Sequence, residues 1–195
     1  MRKKGFNPDT ALQKAMYFFW DKGYESCSMD ELLSEMGLSR SSFYNTFGNK
    51  RELYETVLNH FGQLSAMAYQ TLHTSKPMLE ALNDFFELIF FSPIMKLENG
   101  CLLVNTVLEQ RGNDDALSNM ASEKLFEVEQ QFVTFFERCK ANGQLNNSLP
   151  EAQLAAYFMT FIKGLRVAAR EGKPVTELKT SIKTAMLILE SPYEK

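Results

Sequence analysis

Residues Ser28 to Leu53, SMDELLSEMGLSRSSFYNTFGNKREL, constrain the fold more tightly than any other stretch of this chain. They read as two short helices joined by a tight turn, with a third helix starting at the end. Ser28 is placed to N-cap the first helix, and Glu31 three residues on closes a capping box. Leu32, Leu33 and Met36 recur on one helical face, and Gly37 supplies the left-handed backbone a sharp stop needs. Leu38 fills the corner. Ser39 is the next N-cap, and Phe43 and Phe47, four apart, are expected to bury the far side of the second helix.

That arrangement leaves Arg40, Ser41, Ser42, Tyr44 and Asn45 on the outer face. Short hydrogen-bonding side chains, one guanidinium and one phenol near a helix N-terminus suit phosphate oxygens and base edges in a major groove. A helical hairpin whose second helix is merely solvated has the same pattern, so spacing alone leaves both readings open.

Gly23-Tyr24, Ser28, Leu32, Gly37-Leu38-Ser39, Ser42-Phe43-Tyr44, Phe47 and Asn49-Lys50-x-x-Leu53 together decide between them. Here the chain resembles the TetR family of transcriptional regulators, over about its first third at motif level and beyond that in layout. The resemblance implies an all-α fold of about nine helices. An N-terminal three-helix helix-turn-helix DNA-binding domain (1–49) would join a C-terminal helical ligand-binding and dimerisation domain (50–195). It also implies a DNA-contact set of Ser28, Ser39, Arg40, Ser41, Ser42, Tyr44, Asn45 and Lys50. Leu33 and Met36 replace the usual alanines, Ser41 a common glycine, and Thr46 a usual His or Tyr, so no DNA contact is assigned to Thr46.

With 195 residues and 16 phenylalanines, the chain can bury a large core. A net charge of −3 argues against a coating for nonspecific nucleic-acid binding, so the distribution of charge matters more. Arg2, Lys3 and Lys4 form a basic arm, and Arg40, Lys50 and Arg51 flank the second helix of the motif. Three cysteines (Cys27, Cys101, Cys139), with no CxxC, fit a reduced intracellular protein. MRKKGFNP lacks the apolar run of a signal peptide, and no segment reaches the ~18 apolar residues of a membrane span. A soluble, cytoplasmic protein is expected.

Asn7-Pro8-Asp9 starts a first helix that Gly23 ends. Asn49 caps a long fourth helix, and Lys50 in its first turn opposes the helix dipole, a cost that makes sense if it faces a phosphate. Leu53, Val57, Phe61, Leu64, Ala68 and Leu72 give this helix a continuous apolar stripe. Met78 to Phe91 forms a fifth helix, and Cys101 is expected to begin a sixth that ends at Gly112. Asn113 or Asp114 starts a seventh, running to about Asn142 with Leu117, Ala121, Leu125, Val128, Phe132, Phe135, Phe136 and Cys139 buried. Glu151–Arg170 and Val175–Leu189 complete the set, with no strand signals or repeats.

The last two helices are apolar around much of their circumference, so both sides need cover. A second copy of the same helices is the simplest cover, giving a two-fold four-helix interface that Gly164 and Ala168-Ala169 would bring close. Two recognition helices about 34–36 Å apart would then read a pseudo-palindromic operator in double-stranded DNA.

Phe85, Phe86, Phe90, Phe132, Phe136, Phe158 and Phe161, with Cys101 and Asn105, form the expected site for a small hydrophobic or aromatic effector. For any single ring, plain packing is the competing reading. Cys101, with Asn105 and Glu109 at four-residue steps, is either a thiol sensor or a packing cysteine. The expected function is a homodimeric transcriptional regulator, a repressor released by ligand or by thiol modification at Cys101. A helical protein-interaction module that binds no DNA is the alternative, and it leaves Arg40, Ser42, Tyr44 and Lys50 without a task.

An enzyme fits poorly. His60 and His73 are the only two histidines, and at about 100° per residue they face nearly opposite ways. No phosphate loop, HExxH, GxSxG or Cys/His cluster occurs, so neither metal nor cofactor is expected.

Overall fold

The computed structural model describes residues 6–146 and 148–190, and these residues contain nine α-helices, two 3₁₀ turns and no strand. The expected basic arm, Arg2 to Lys4, lies outside the described residues. Two compact units form. One takes the described residues up to Gln63 together with Leu102–Ser122; the other takes Leu64–Cys101 and the described residues from Glu123 onward.

In the first unit, α1 (Pro8–Lys22) starts where Asn7 accepts hydrogen bonds from the backbone N–H groups of Asp9 and Thr10. It buries Ala15, Met16, Phe19 and Trp20, and packs against α2 (Met29–Met36). The Ser28–Glu31 capping box closes in both directions. Gly37 ends α2 at φ 68°, ψ 36°, the left-handed region that glycine enters without a Cβ clash. The Leu38 N–H then donates to the Leu33 carbonyl, the six-to-one bond of a Schellman turn.

Helix α3 (Arg40–Phe47) buries only Phe43. Phe47, expected inside, is half-buried. It is the last residue of a two-turn helix, and its ring meets Phe43 at 6.0 Å. Helix α4 (Lys50–Gln70) contributes its first four turns to this unit, with Leu53, Val57 and Phe61 buried. Helix α6 (Leu102–Gln110) and the first turns of α7 (Asp115–Ala141) supply Leu103, Thr106, Leu117 and Ala121 to the same core. Helix α6 starts one residue later than expected, at Leu102. Asp114 caps α7 by accepting from the Leu117 N–H at 3.2 Å.

In the second unit, α4 gives way to a 3₁₀ turn over Thr71–His73, which packs on α5 (Met78–Phe91) and carries buried Leu72. A second 3₁₀ turn, Leu97–Asn99, packs on α8 (Glu151–Arg170), and α8 packs on α9 (Val175–Glu190). Leu64, Leu125 and Val128, expected inside, are half-buried. The outer faces of α8 and α9 keep large apolar side chains exposed: Tyr157, Val167, Leu187 and Ile188. Gly164 is exposed on α8, with open space where a Cβ would stand.

Candidate nucleic-acid interface

The N-cap of α3 is a serine cluster. Ser39 Oγ accepts from the Ser42 N–H at 3.2 Å, donates to Ser42 Oγ at 2.9 Å, and lies 3.2 Å from Ser41 Oγ. The caps fix α3 where its first turn presents polar groups, because nothing apolar on that face holds it elsewhere. Ser39, Arg40, Ser41, Tyr44 and Asn45 are exposed and Ser42 is half-buried. Six of the eight expected DNA-contact residues thus share this one short element. Ser28 stands at the start of α2, its hydroxyl donating to Glu31 Oε2 at 2.7 Å; Lys50 stands at the start of α4.

The charged members already have partners. Arg40 Nη2 lies 2.5 Å from Asp30 Oδ1 in an exposed ion pair. Lys50 Nζ stands 4.5 Å from the centroid of the Tyr24 ring, which is itself 4.7 Å from the Tyr54 ring. Arg51, expected to add to the basic face, does not: its Nε donates to Asp114 Oδ2 at 2.8 Å and its Nη1 to Glu55. Arg51 instead ties α4 to the start of α7. Hydrogen bonds from Ser28, with Lys22 second, hold the Glu31 carboxyl down at about 2.

Helix α4 opens with a second reciprocal cap, Glu52 N–H donating to Asn49 Oδ1 at 3.0 Å and Asn49 N–H to Glu52 Oε2 at 3.3 Å. Gly48 makes room for it, since a Cβ there would fall 1.5 Å from Glu52 Oε2.

Sequence reasoning placed Glu109 on the face of Cys101 but missed its partners. Its carboxylate accepts from the backbone N–H groups of Tyr24 and Glu25, both at 2.9 Å. Below it on α6, Thr106 Oγ1 pairs with the buried Tyr54 hydroxyl at 2.8 Å.

In the second unit the expected effector-site rings pack on one another. Phe158 lies 5.5–6.4 Å from Phe86, Phe132 and Phe136, and Phe85 meets Phe86 and Phe132 edge-on. Phe85, Phe86, Phe90, Phe132, Phe136 and Phe158 are buried, whereas Phe161, Cys101 and Asn105 are half-buried. An open groove of about 500 Å³ takes only Phe90 from that set, adding Phe91, Met95, Leu97, Val175 and Lys179.

Arg166, which sequence reasoning passed over, is buried beside this cluster. It donates to the carbonyls of Ile89 and Gly100 and stacks 4.5 Å from Phe90. Ile89 needs that donor because the residue four on, Pro93, has no N–H. The signal was a lone arginine in the apolar run FIKGLRVAA. Burial raises the Cys27 thiol to about 11 and also lifts the Cys139 thiol. Among the described residues no group of side chains could hold a metal ion, and no helix is long and apolar enough to cross a membrane.

Two capped helices joined at Gly37–Ser39, the second exposing a polar face, define a helix-turn-helix DNA-binding regulator. Residues 11–57 match the family model described as bacterial regulatory proteins, tetR family. The chain is 28% identical to the HTH-type transcriptional repressor ComR of Escherichia coli (strain K12) over 91% of this chain and 86% of that one. It is 26% identical to the HTH-type transcriptional regulator YezE of Bacillus subtilis (strain 168) over 97% of this chain and 99% of the other. The fold superposes on a cysteine-substituted CifR, a TetR family regulator complexed with 26bp double-strand operator DNA. That match has a TM-score of 0.83 at 28% identity, covering 97% of this chain and 100% of CifR. The chain belongs to the TetR family of transcriptional regulators, and its relatives are regulators of transcription rather than enzymes.

Proposed function

We propose that the chain is a homodimeric repressor, acting in the cytoplasm, that reads a pseudo-palindromic double-stranded operator through α3. The observation that carries this reading is α3 itself, which buries Phe43 alone and exposes Arg40, Ser41, Tyr44 and Asn45. Residues 1–49 would hold the DNA-contact surface and residues 50–195 the effector and dimer functions. ComR and CifR, one a repressor by name and the other bound to an operator, support the same reading.

The dimer would form through α8 and α9, whose exposed Tyr157 and Val167 flank the open position at Gly164. A second copy removes that apolar surface from water, at about 25 cal/mol per Å² of apolar area. Release would follow a small hydrophobic or aromatic effector bound among the phenylalanines of α5, α7 and α8, or modification of Cys101. The half-buried positions of Phe161 and Cys101, at the edge of otherwise buried rings, support a point of entry there.

A gel shift on the DNA upstream of the protein's own gene tests the reading. A salt-sensitive complex of dimer size is expected, lost in Tyr44→Ala and in Lys50→Ala. Wild-type binding by both variants, or no binding by any form, would leave the interaction-module reading instead.

A further inference from the structure

We propose that Glu109, on α6, is a positioning residue for the DNA contact made by Lys50, acting through the Tyr24 ring. The inference rests on the reading of Lys50 as a phosphate-contacting residue.

Gly23 closes α1 at φ 85°, ψ 163°, a conformation that turns the chain out of the helix. The N–H groups of Tyr24 and Glu25 consequently have no carbonyl four residues back in helical geometry. Glu109 takes both, Oε2 from Tyr24 and Oε1 from Glu25, each at 2.9 Å. Such bonds to an ionised acceptor are about twice as strong as neutral ones. Gly23 leaves space for the carboxylate, because a Cβ there would stand 2.9 Å from Glu109 Oε1.

The backbone so held carries the ring on which the Lys50 ammonium rests at 4.5 Å. From the same helix, Thr106 holds Tyr54, whose ring backs Tyr24, and Gln110 Nε2 donates to Glu25 at 3.3 Å. Lys50 is the first residue of α4, where the dipole disfavours a cation, and the face of the Tyr24 ring is the attraction that offsets this. With Glu109 gone, the two N–H groups seek water, the Tyr24 ring shifts, and the ammonium loses its fixed position.

The test compares the full-length protein with Glu109→Ala, Glu109→Gln, Lys50→Ala and the Glu109→Ala/Lys50→Ala double variant. Binding to the upstream duplex is measured across a potassium chloride series, beside thermal melting. Loss of one phosphate contact lowers the slope of log affinity against log salt by about 1. Glu109→Ala is expected to lower both affinity and slope as Lys50→Ala does, and the double variant to fall no further than Lys50→Ala. Glu109→Gln keeps one acceptor oxygen and should recover part of both; it also stands in should Glu109→Ala fail to fold. A Glu109→Gln slope equal to wild type, beside a lowered Lys50→Ala slope, overturns the positioning role alone. Lys50→Ala with wild-type affinity and slope overturns the reading of Lys50, and the inference with it. A general loss of folding would lower the melting temperature without moving the slope.

Discussion

Asp30 holds the guanidinium of Arg40 at 2.5 Å, so the one arginine on α3 is already engaged by an anion from α2. Both side chains are more than half exposed, and such pairs are worth only about 0–1 kcal/mol. A phosphate therefore competes with Asp30 for Arg40. Asp30→Asn is predicted to tighten DNA binding by up to about fivefold at low salt, the factor that corresponds to about 1 kcal/mol. Fluorescence anisotropy at two salt concentrations reads it; weaker binding than wild type would show that Asp30 positions Arg40 rather than competing for it.

The α2 cap predicts a pH dependence of stability. The folded protein holds the Glu31 carboxyl at about 2, below its ordinary value of 4.5, chiefly through hydrogen bonds from Ser28 and secondarily through Lys22. A depressed carboxyl contributes stability that is fully present above the ordinary value and is lost as pH falls from there towards about 2. Urea melts between pH 6 and pH 3 are expected to show a smaller loss of stability in Glu31→Gln than in wild type. Parallel curves would remove Glu31 as a contributor.

The thiols separate by environment. Cys27 is buried, its Sγ donates to the Gly23 carbonyl at 3.0 Å, and burial raises it to about 11; Cys139 is buried and raised as well. Since the thiolate is the reactive form, iodoacetamide at neutral pH is predicted to label half-buried Cys101 first. Mass spectrometry of the native protein should find the other two modified only after denaturant is added. Oxidant or electrophile should release DNA from wild type and not from Cys101→Ser if thiol modification is the switch; equal release rules it out.

Phe158 and Phe161 are predicted to behave differently although both lie on α8. Phe158 is fully buried against Phe86, Phe132 and Phe136, so Phe158→Ala should cost about 3–5 kcal/mol. Phe161 is half-buried, and its removal should cost markedly less while altering the thermal shift produced by aromatic ligands. Similar destabilisation by both, with ligand shifts unchanged, would assign Phe161 to packing alone.

What was legible in the sequence is local. Ser28, Gly37, Ser39 and Asn49 act on residues two to four positions away, so cap and turn chemistry could be read from spacing. The helices α5 and α8 match their expected bounds because proline and glycine punctuate them. What was not legible spans long separations. Glu109 meets Tyr24 across 85 residues and Arg51 meets Asp114 across 63, and no periodicity encodes such pairings. Both the lost basic character at Arg51 and the role of α6 beside the DNA-contact unit follow from those two contacts. Phe47 was misread because i, i+4 spacing says which side chains are neighbours, not how deep a two-turn helix can sink them.

The central claim is that α3 contacts DNA from a dimer built on α8 and α9. Sedimentation velocity of the protein with its upstream duplex, for wild type, Tyr44→Ala and Val167→Asp, tests it most directly. Two chains per duplex site are predicted for wild type, a DNA-free dimer for Tyr44→Ala, and a DNA-free monomer for Val167→Asp. A wild-type monomer at micromolar concentration with no affinity for the duplex, or a Tyr44→Ala variant that binds it as wild type does, would contradict the account.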